Sequence, residues 1–225
     1  MDSGDARTGV PTPAEVVGVA RAAAEAGLDV EGVFTHGGHG YEPGRAASAG
    51  ADESSFLAAA AEALAAAGFN VRTISSGSSP TRLLAGDPVN EVRAGTVVFG
   101  DRLQASLGSI EDADVALVVA ATVVSARSGQ FVVDAGAKSL TKDRPSDLVG
   151  HGFLPAYPDA VIDRLSDYHG VVVLPGDEPG PRIGEVVAIV PNHVCPVVDL
   201  YEFFTIVNAD GATERWPVDA RGRSR

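Results

Sequence analysis

Apolar positions in the first hundred residues alternate between helical and strand-like spacing. Thr12-Pro13-Ala14-Glu15 is a capping box with proline at the first helical position, and the helix it opens continues from Val16 to Ala26 and stops at Gly27. The short apolar run Val30 to Thr35 predicts a strand. Asp52 can cap a second helix through the Ala-rich stretch to Gly68, and Val71 to Ile74 and Thr96 to Phe99 predict two more strands. Strand and helix in alternation imply a parallel sheet or a (β/α) barrel.

After Gln104 the pattern becomes β-rich. Val115 to Ala126 is a long β-branched run, Arg127 to Gln130 a turn, and Phe131 to Asp134 its hairpin partner. Further strands are predicted at Gly170 to Leu174, Gly184 to Val190, Tyr201 to Asn208 and Thr213 to Trp216, the last two joined by the turn Asn208 to Gly211. The expected fold is therefore α/β, with residues 1–105 forming a partial (β/α) barrel and residues 106–225 a mainly antiparallel β domain. The tail from Asp219 through Arg221 to Arg225 is expected to fray.

Composition narrows the class. An apolar content of 45% with 21% charged residues is ordinary for a globular chain of 225 residues. The lone Cys195 leaves no internal disulfide framework and fits a reducing cytoplasm. Met1 to Asp5 is acidic with no apolar core, so no secretory signal is visible, and the helix around Phe56 to Phe69 carries Glu62 and is too weakly apolar for a membrane span. A net charge of -13 argues against nucleic acid, whose binding rests on Lys and Arg neutralising phosphates. No membrane partner is expected either. Lys138 and Lys142 are the only lysines.

Three stretches carry candidate chemistry. If the chain stays extended past Pro191, His193 and Cys195 project from one face, and imidazole with thiolate suits Zn2+. Two protein ligands leave positions open for water or substrate; the alternative is a satisfied core pair. Ser75-Ser76-Gly77-Ser78-Ser79-Pro80-Thr81 follows a strand and offers hydroxyls and amides to a phosphate, or is a Ser-rich surface loop. Thr35 to Tyr41 places His36 and His39 three apart among glycines, which fits a second metal site, a cofactor wall or neither.

Five blocks occur in a recognisable order: Asp2 to Val10, Gly32-Val33-Phe34-Thr35-His36, Gly77-Ser78-Ser79-Pro80-Thr81, Val92-Arg93-Ala94-Gly95-Thr96 and Pro191-Asn192-His193-Val194-Cys195-Pro196. In this order they resemble the D-serine dehydratases and D-threonine aldolases, pyridoxal 5'-phosphate enzymes of the alanine racemase-like fold. The resemblance implies that Gly77, Ser78 and Ser79, with the backbone of Gly95 and Thr96, cradle the cofactor phosphate. It implies that Arg7, His36 and Tyr41 surround the pyridine ring, that Arg93 lies near the ring nitrogen, and that His193 and Cys195 hold Zn2+. The second metal ligand is a cysteine in the dehydratases and tends to be aspartate in the aldolases, so Cys195 favours the dehydratase. Phe34 departs from the usual tyrosine.

In that family the Schiff-base lysine precedes the block matched by Asp2 to Val10. Lys138 matches a lysine that does not carry the cofactor, and Lys142 reads as a solvated loop residue. The expectation is a truncated chain without the catalytic lysine, leaving open strand edges and apolar helix faces. The implied activity of the complete enzyme is conversion of D-serine, a small-molecule D-amino acid, to pyruvate and ammonia. The alternatives are retro-aldol cleavage of D-threonine, or a non-catalytic remnant or subunit of a split enzyme. Expected partners are a second copy, by family analogy, or the missing N-terminal fragment.

Overall fold

The computed structural model describes residues 2–176 and 179–223. The chain folds as two units, Met1–Val98 with Leu107–Ser109, and Phe99–Ser106 with Ile110–Arg225.

In the first unit, helix α1 (Pro13–Glu25) starts at the capping box: the Thr12 hydroxyl accepts from the Glu15 amide at 3.3 Å, and the Glu15 carboxylate accepts from the Thr12 amide at 3.1 Å. Strand β1 (Gly32–Phe34) follows, then helix α2 (Ala46–Ala66). Asp52 therefore lies inside α2 and does not cap it; its carboxylate is 3.2 Å from His39 Nε2. Strands β2 (Thr73–Ser76) and β3 (Glu91–Val92) complete a parallel sheet in the order β1-β2-β3, with Val33 opposite Ile74 and Ser76 opposite Val92. The strand expected at Thr96 to Phe99 is instead a 3-10 turn at Thr96–Val98. The ladder ends where the Arg93 amide donates to the Ser76 carbonyl, and the Val98 amide then turns back onto the Gly95 carbonyl, so pairing overrides the β propensity of Thr96-Val97-Val98.

Val16 and Ala20 of α1 and Leu57, Ala60, Ala61 and Leu64 of α2 pack on Val33 and Ile74. The outer edge of β1 has no partner strand among the described residues. Beside it runs a groove of about 750 Å³ lined by Val16, Val19, Ala20, Val33, Phe34 and Leu64. Val19 and Phe34 are 58% and 61% exposed there.

The second unit contains α3 (Arg102–Ser106), β4 (Val119–Arg127), β5 (Gln130–Val133), α4 (Ala137–Leu140), β6 (Val161–Leu165), β7 (Gly170–Val173), β8 (Val186–Ile189), α5 (Val194–Val198), β9 (Phe203–Val207) and β10 (Thr213–Pro217). Five strands form an antiparallel sheet in the order β6-β7-β5-β4-β8, and β9 and β10 form a separate hairpin. Alternate residues of β4 (Val119, Ala121, Val123) face one core with Phe131, Val133, Ile162, Val172, Val187 and Ile189. β4 begins later than Val115, because Ala116 is drawn off by a bond to the Phe99 carbonyl. The sequence reading missed β6: its alternation is interrupted by Asp163-Arg164, where the register shifts against β7. The tail is not frayed through Arg223, since Arg221 bonds Glu202 at 2.9 Å and the Gly222 amide bonds Asp199 at 2.8 Å; Ser224 and Arg225 lie outside the described residues. No helix among the described residues is long and apolar enough to cross a membrane.

Candidate functional site

In the first unit three loops converge at the C-terminal ends of the parallel strands, where ligand sites of βα folds lie. Thr35 Oγ1 donates to Ser3 Oγ at 2.8 Å, which ties the N-terminal loop to the end of β1. His36 Nδ1 donates to the Gly77 carbonyl at 3.0 Å, which ties β1 to the loop after β2. Tyr41 lies beside His36, ring centroids 6.2 Å apart. Arg93 donates through Nε to Ser75 Oγ at 2.7 Å and through Nη2 to the Thr35 carbonyl, with its guanidinium 5.1 Å above the Phe34 ring. The aromatic face at position 34 thus supports the arginine in place of a hydroxyl. Arg7 pairs with Asp5 at 3.5 Å and is largely exposed.

The end of β2 and the loop after it carry several buried hydroxyls. Gly77 adopts φ +117°, a region open to glycine, and a Cβ there would sit 3.0 Å from the Arg93 amide nitrogen. The Gly77 amide donates to Glu53 and the Ser78 amide to Thr81 Oγ1, so neither is free for a ligand. The hydroxyls of Ser76 and Ser79 are buried without a partner in the protein, and a Cβ on Gly95 would meet open space. Thr96, next to Gly95 in sequence, is buried. His36 and His39 turn to different partners, Gly77 and Asp52, so they do not act as a pair of ligands.

In the second unit, His193 and Cys195 meet by a route other than the extended strand expected. The strand ends before Pro191; His193 caps α5 with extended dihedrals, and Cys195 lies in the first turn of that helix. A hydrogen bond to Cys195, supported by one from Asp143, raises the His193 pKa from 6.5 to about 9 against the opposing effect of burial. Asp143 Oδ2 lies 2.5 Å from His193 Nδ1. The same thiol and carboxylate that favour a proton on the imidazole would favour a divalent cation in its place. Among the described residues no group of three or more His, Cys, Asp or Glu side chains is placed to hold a metal ion.

Asp101 holds this turn from below. Its carboxylate is buried and accepts the amides of Gln104 at 2.8 Å and of Val194 at 3.0 Å. Burial pushes its pKa up, and the two amides and His193 pull it back. Arg102 bonds the carbonyls of Val149 and Gly152 and the side chain of Asn192, so the residue before His193 is fixed as well.

Comparison with known proteins places both halves. The alanine racemase N-terminal domain matches residues 1–103, and the putative serine dehydratase domain matches residues 116–207. An uncharacterised protein of Mycobacterium tuberculosis is 42% identical over 132 residues, 56% of this chain and 99% of that protein. D-threo-3-hydroxyaspartate dehydratase of Delftia is 31% identical over 245 residues, 96% of this chain and 63% of that enzyme, and its solved structure superposes with a TM-score of 0.85. The chain belongs to the D-serine dehydratase and D-threonine aldolase family. Another solved relative, D-threonine aldolase from Filomicrobium marinum, is 30% identical with a TM-score of 0.79 over 100% of this chain and 63% of that one. The chain thus spans under two thirds of the length of both enzymes, and its fold is alanine racemase-like. Solved variants of D-threo-3-hydroxyaspartate dehydratase include a histidine-to-alanine mutant and, two residues on, a cysteine-to-alanine mutant in the metal-free form.

Glu53, Asp101 and Asp143 of this dehydratase-family chain contact the site and escaped the sequence reading. Glu53 left a usable signal: it sits on the same helical stripe as Leu57, Ala60 and Leu64, where a charged residue is out of place. Asp143 left none, being 50 residues from His193 in a polar loop between Lys142 and Arg144.

Proposed function

We propose that this chain carries the phosphate loop and the metal pair of a pyridoxal phosphate- and zinc-dependent lyase acting on β-hydroxy D-amino acids, with D-serine dehydration to pyruvate and ammonia as its reaction. The observation that carries this reading is the His193–Cys195 pair backed by Asp143, on a fold shared with a dehydratase in which a histidine and a cysteine of the same spacing have been replaced and the cysteine form is metal-free. Ser76 and Ser79 offer their unpartnered hydroxyls to the cofactor phosphate, and His36, Tyr41 and Arg93 stand on the loops around it. Pyridoxal phosphate supplies an electron sink for the α-carbon of the amino acid. Zinc supplies a Lewis acid for the β-hydroxyl, a poor leaving group by itself. Asp143 engages Nδ1 of His193 and so leaves Nε2 as the ring nitrogen for the metal.

The family resemblance gives the cofactor to neither Lys138 nor Lys142. Lys138 donates to the Tyr168 hydroxyl at 2.9 Å and pairs with Asp167, partners that raise its pKa. The cofactor-bearing lysine therefore comes, in this reading, from polypeptide outside these 225 residues. The edge of β1, which has no partner strand among the described residues, and its apolar groove favour a chain that works with such a partner.

The test is titration of the purified chain with pyridoxal phosphate, followed by borohydride trapping and peptide mapping. The expected result is no stoichiometric label on Lys138 or Lys142. A stoichiometric label on either would overturn the account of the lysine. Glycine and an aldehyde in place of pyruvate and ammonia, from the enzyme completed with a lysine-bearing fragment, would assign aldol cleavage instead.

Asp143→Asn tests the metal pair separately. Loss of a carboxylate behind a ligating histidine weakens metal binding by roughly 10- to 100-fold. Competition with a chromophoric chelator reads this directly, and an unchanged zinc affinity would remove Asp143 from the site.

A further inference from the structure

Glu53 is the most conspicuous polar group that the proposed chemistry leaves unused. It lies within α2, is 0% exposed, and shares its stripe with Leu57, Ala60 and Leu64. A carboxyl is costly to place there unless its bonds hold something in position. Oε1 accepts the Gly77 amide at 3.0 Å, while Oε2 has no partner in the protein. The carboxyl also fills the space beside Gly37, where a Cβ would come within 2.7 Å of its Cδ. Gly77 is gripped from its other side by His36, which donates to its carbonyl. The two peptide units flanking Gly77, whose φ is +117°, are thus held by side chains from different segments.

We infer that Glu53 is a positioning residue for the phosphate loop: with His36 it clamps the Gly77 turn, so that the Ser76 and Ser79 hydroxyls are presented to the cofactor phosphate before it arrives. This rests on the pyridoxal phosphate reading proposed above. The clamp also explains why the loop works through hydroxyls. The Gly77 amide is spent on Glu53 and the Ser78 amide on Thr81, while the two serine hydroxyls, both buried, have no partner in the protein. A preorganised loop binds more tightly because ordering it costs nothing at the moment of binding.

Two variants test this in the chain as it stands. Glu53→Met fills the same space without an acceptor, and Glu53→Gln keeps one. Hydrogen exchange at the Gly77 amide, without cofactor, should speed up roughly tenfold or more in E53M, the effect of one lost hydrogen bond, and stay near wild type in E53Q, which keeps an acceptor. Affinity for pyridoxal phosphate should fall by about tenfold or more in E53M and recover in E53Q, while affinity for pyridoxal, which lacks the phosphate, stays within about twofold. Unchanged exchange in E53M overturns the clamp. Equal loss of pyridoxal and pyridoxal phosphate binding overturns the phosphate role and leaves Glu53 a general structural residue. A wild-type chain that binds neither compound sinks the cofactor reading and the phosphate role together, while the exchange result still decides whether Glu53 fixes the turn.

Discussion

Cys195→Ala should take pyruvate release from D-serine down by roughly three orders of magnitude in the enzyme completed with a lysine-bearing fragment, because Lewis-acid assistance of a hydroxide leaving group contributes several kcal/mol to the barrier. Zinc affinity of the chain alone should fall by roughly 100- to 1000-fold, the share of one ligand in a binding free energy of about 10–16 kcal/mol spread over four. Pyridoxal phosphate binding should be untouched, because Cys195 is not among the residues that carry the phosphate-loop hydroxyls. The variant is safe to make: Cys195 is exposed in the first turn of α5, so truncation opens no cavity. Pyruvate release at the wild-type rate would refute the metal-assisted mechanism, and zinc retained at wild-type affinity would refute the ligand assignment.

Gly32→Ala should be the most damaging single-methyl change in the first unit. A Cβ at Gly32 would lie 1.8 Å from the Thr73 carbonyl oxygen, 2.7 Å from its carbon and 2.9 Å from the Thr73 nitrogen. All three atoms are backbone, so no rotamer relieves the clash, and β1 must move away from β2 at the pair Gly32–Thr73. That strand carries Val33 into the core and Thr35 and His36 into the site. A loss of about 3–5 kcal/mol is expected, at the upper end for one substitution. Gly18→Ala is the matched control: Gly18 lies inside α1 with nothing within 4 Å of a new Cβ, and the change should stabilise by about 0.5–1 kcal/mol. Urea midpoints of the two variants should move in opposite directions, and a G32A midpoint at the wild-type value would show that β1 and β2 do not pair at this register.

Local chemistry was legible wherever a short stretch decides its own structure. The capping box at Thr12 starts α1 through bonds that span three residues, and the alternation Val119, Ala121, Val123 buries one face of β4. Where a remote partner intervened, local signals misled. Asp52 looks like an N-cap but serves His39, so α2 begins earlier, at Ala46. Thr96-Val97-Val98 has the composition of a strand, yet the sheet takes Glu91–Val92 instead, because only those residues meet Ser75 and Ser76.

His193 and Cys195 show both sides. Their spacing and chemistry were enough to pick them out, but the extended strand invoked to bring them together is a cap and a helical turn. The reason lies in Asp101, whose carboxylate takes the Val194 amide from 93 residues away and starts the helix there. By itself the sequence determined the alternation of strand and helix, the β-rich second half, the five ordered blocks and the chemical identity of the candidate ligands. Only the tertiary structure decided which atoms face one another: Glu53 on Gly77, Asp143 on His193, Asp101 on Val194. Each of those contacts joins segments remote in the chain, and propensity and periodicity, which are sums over neighbours, carry no information about them.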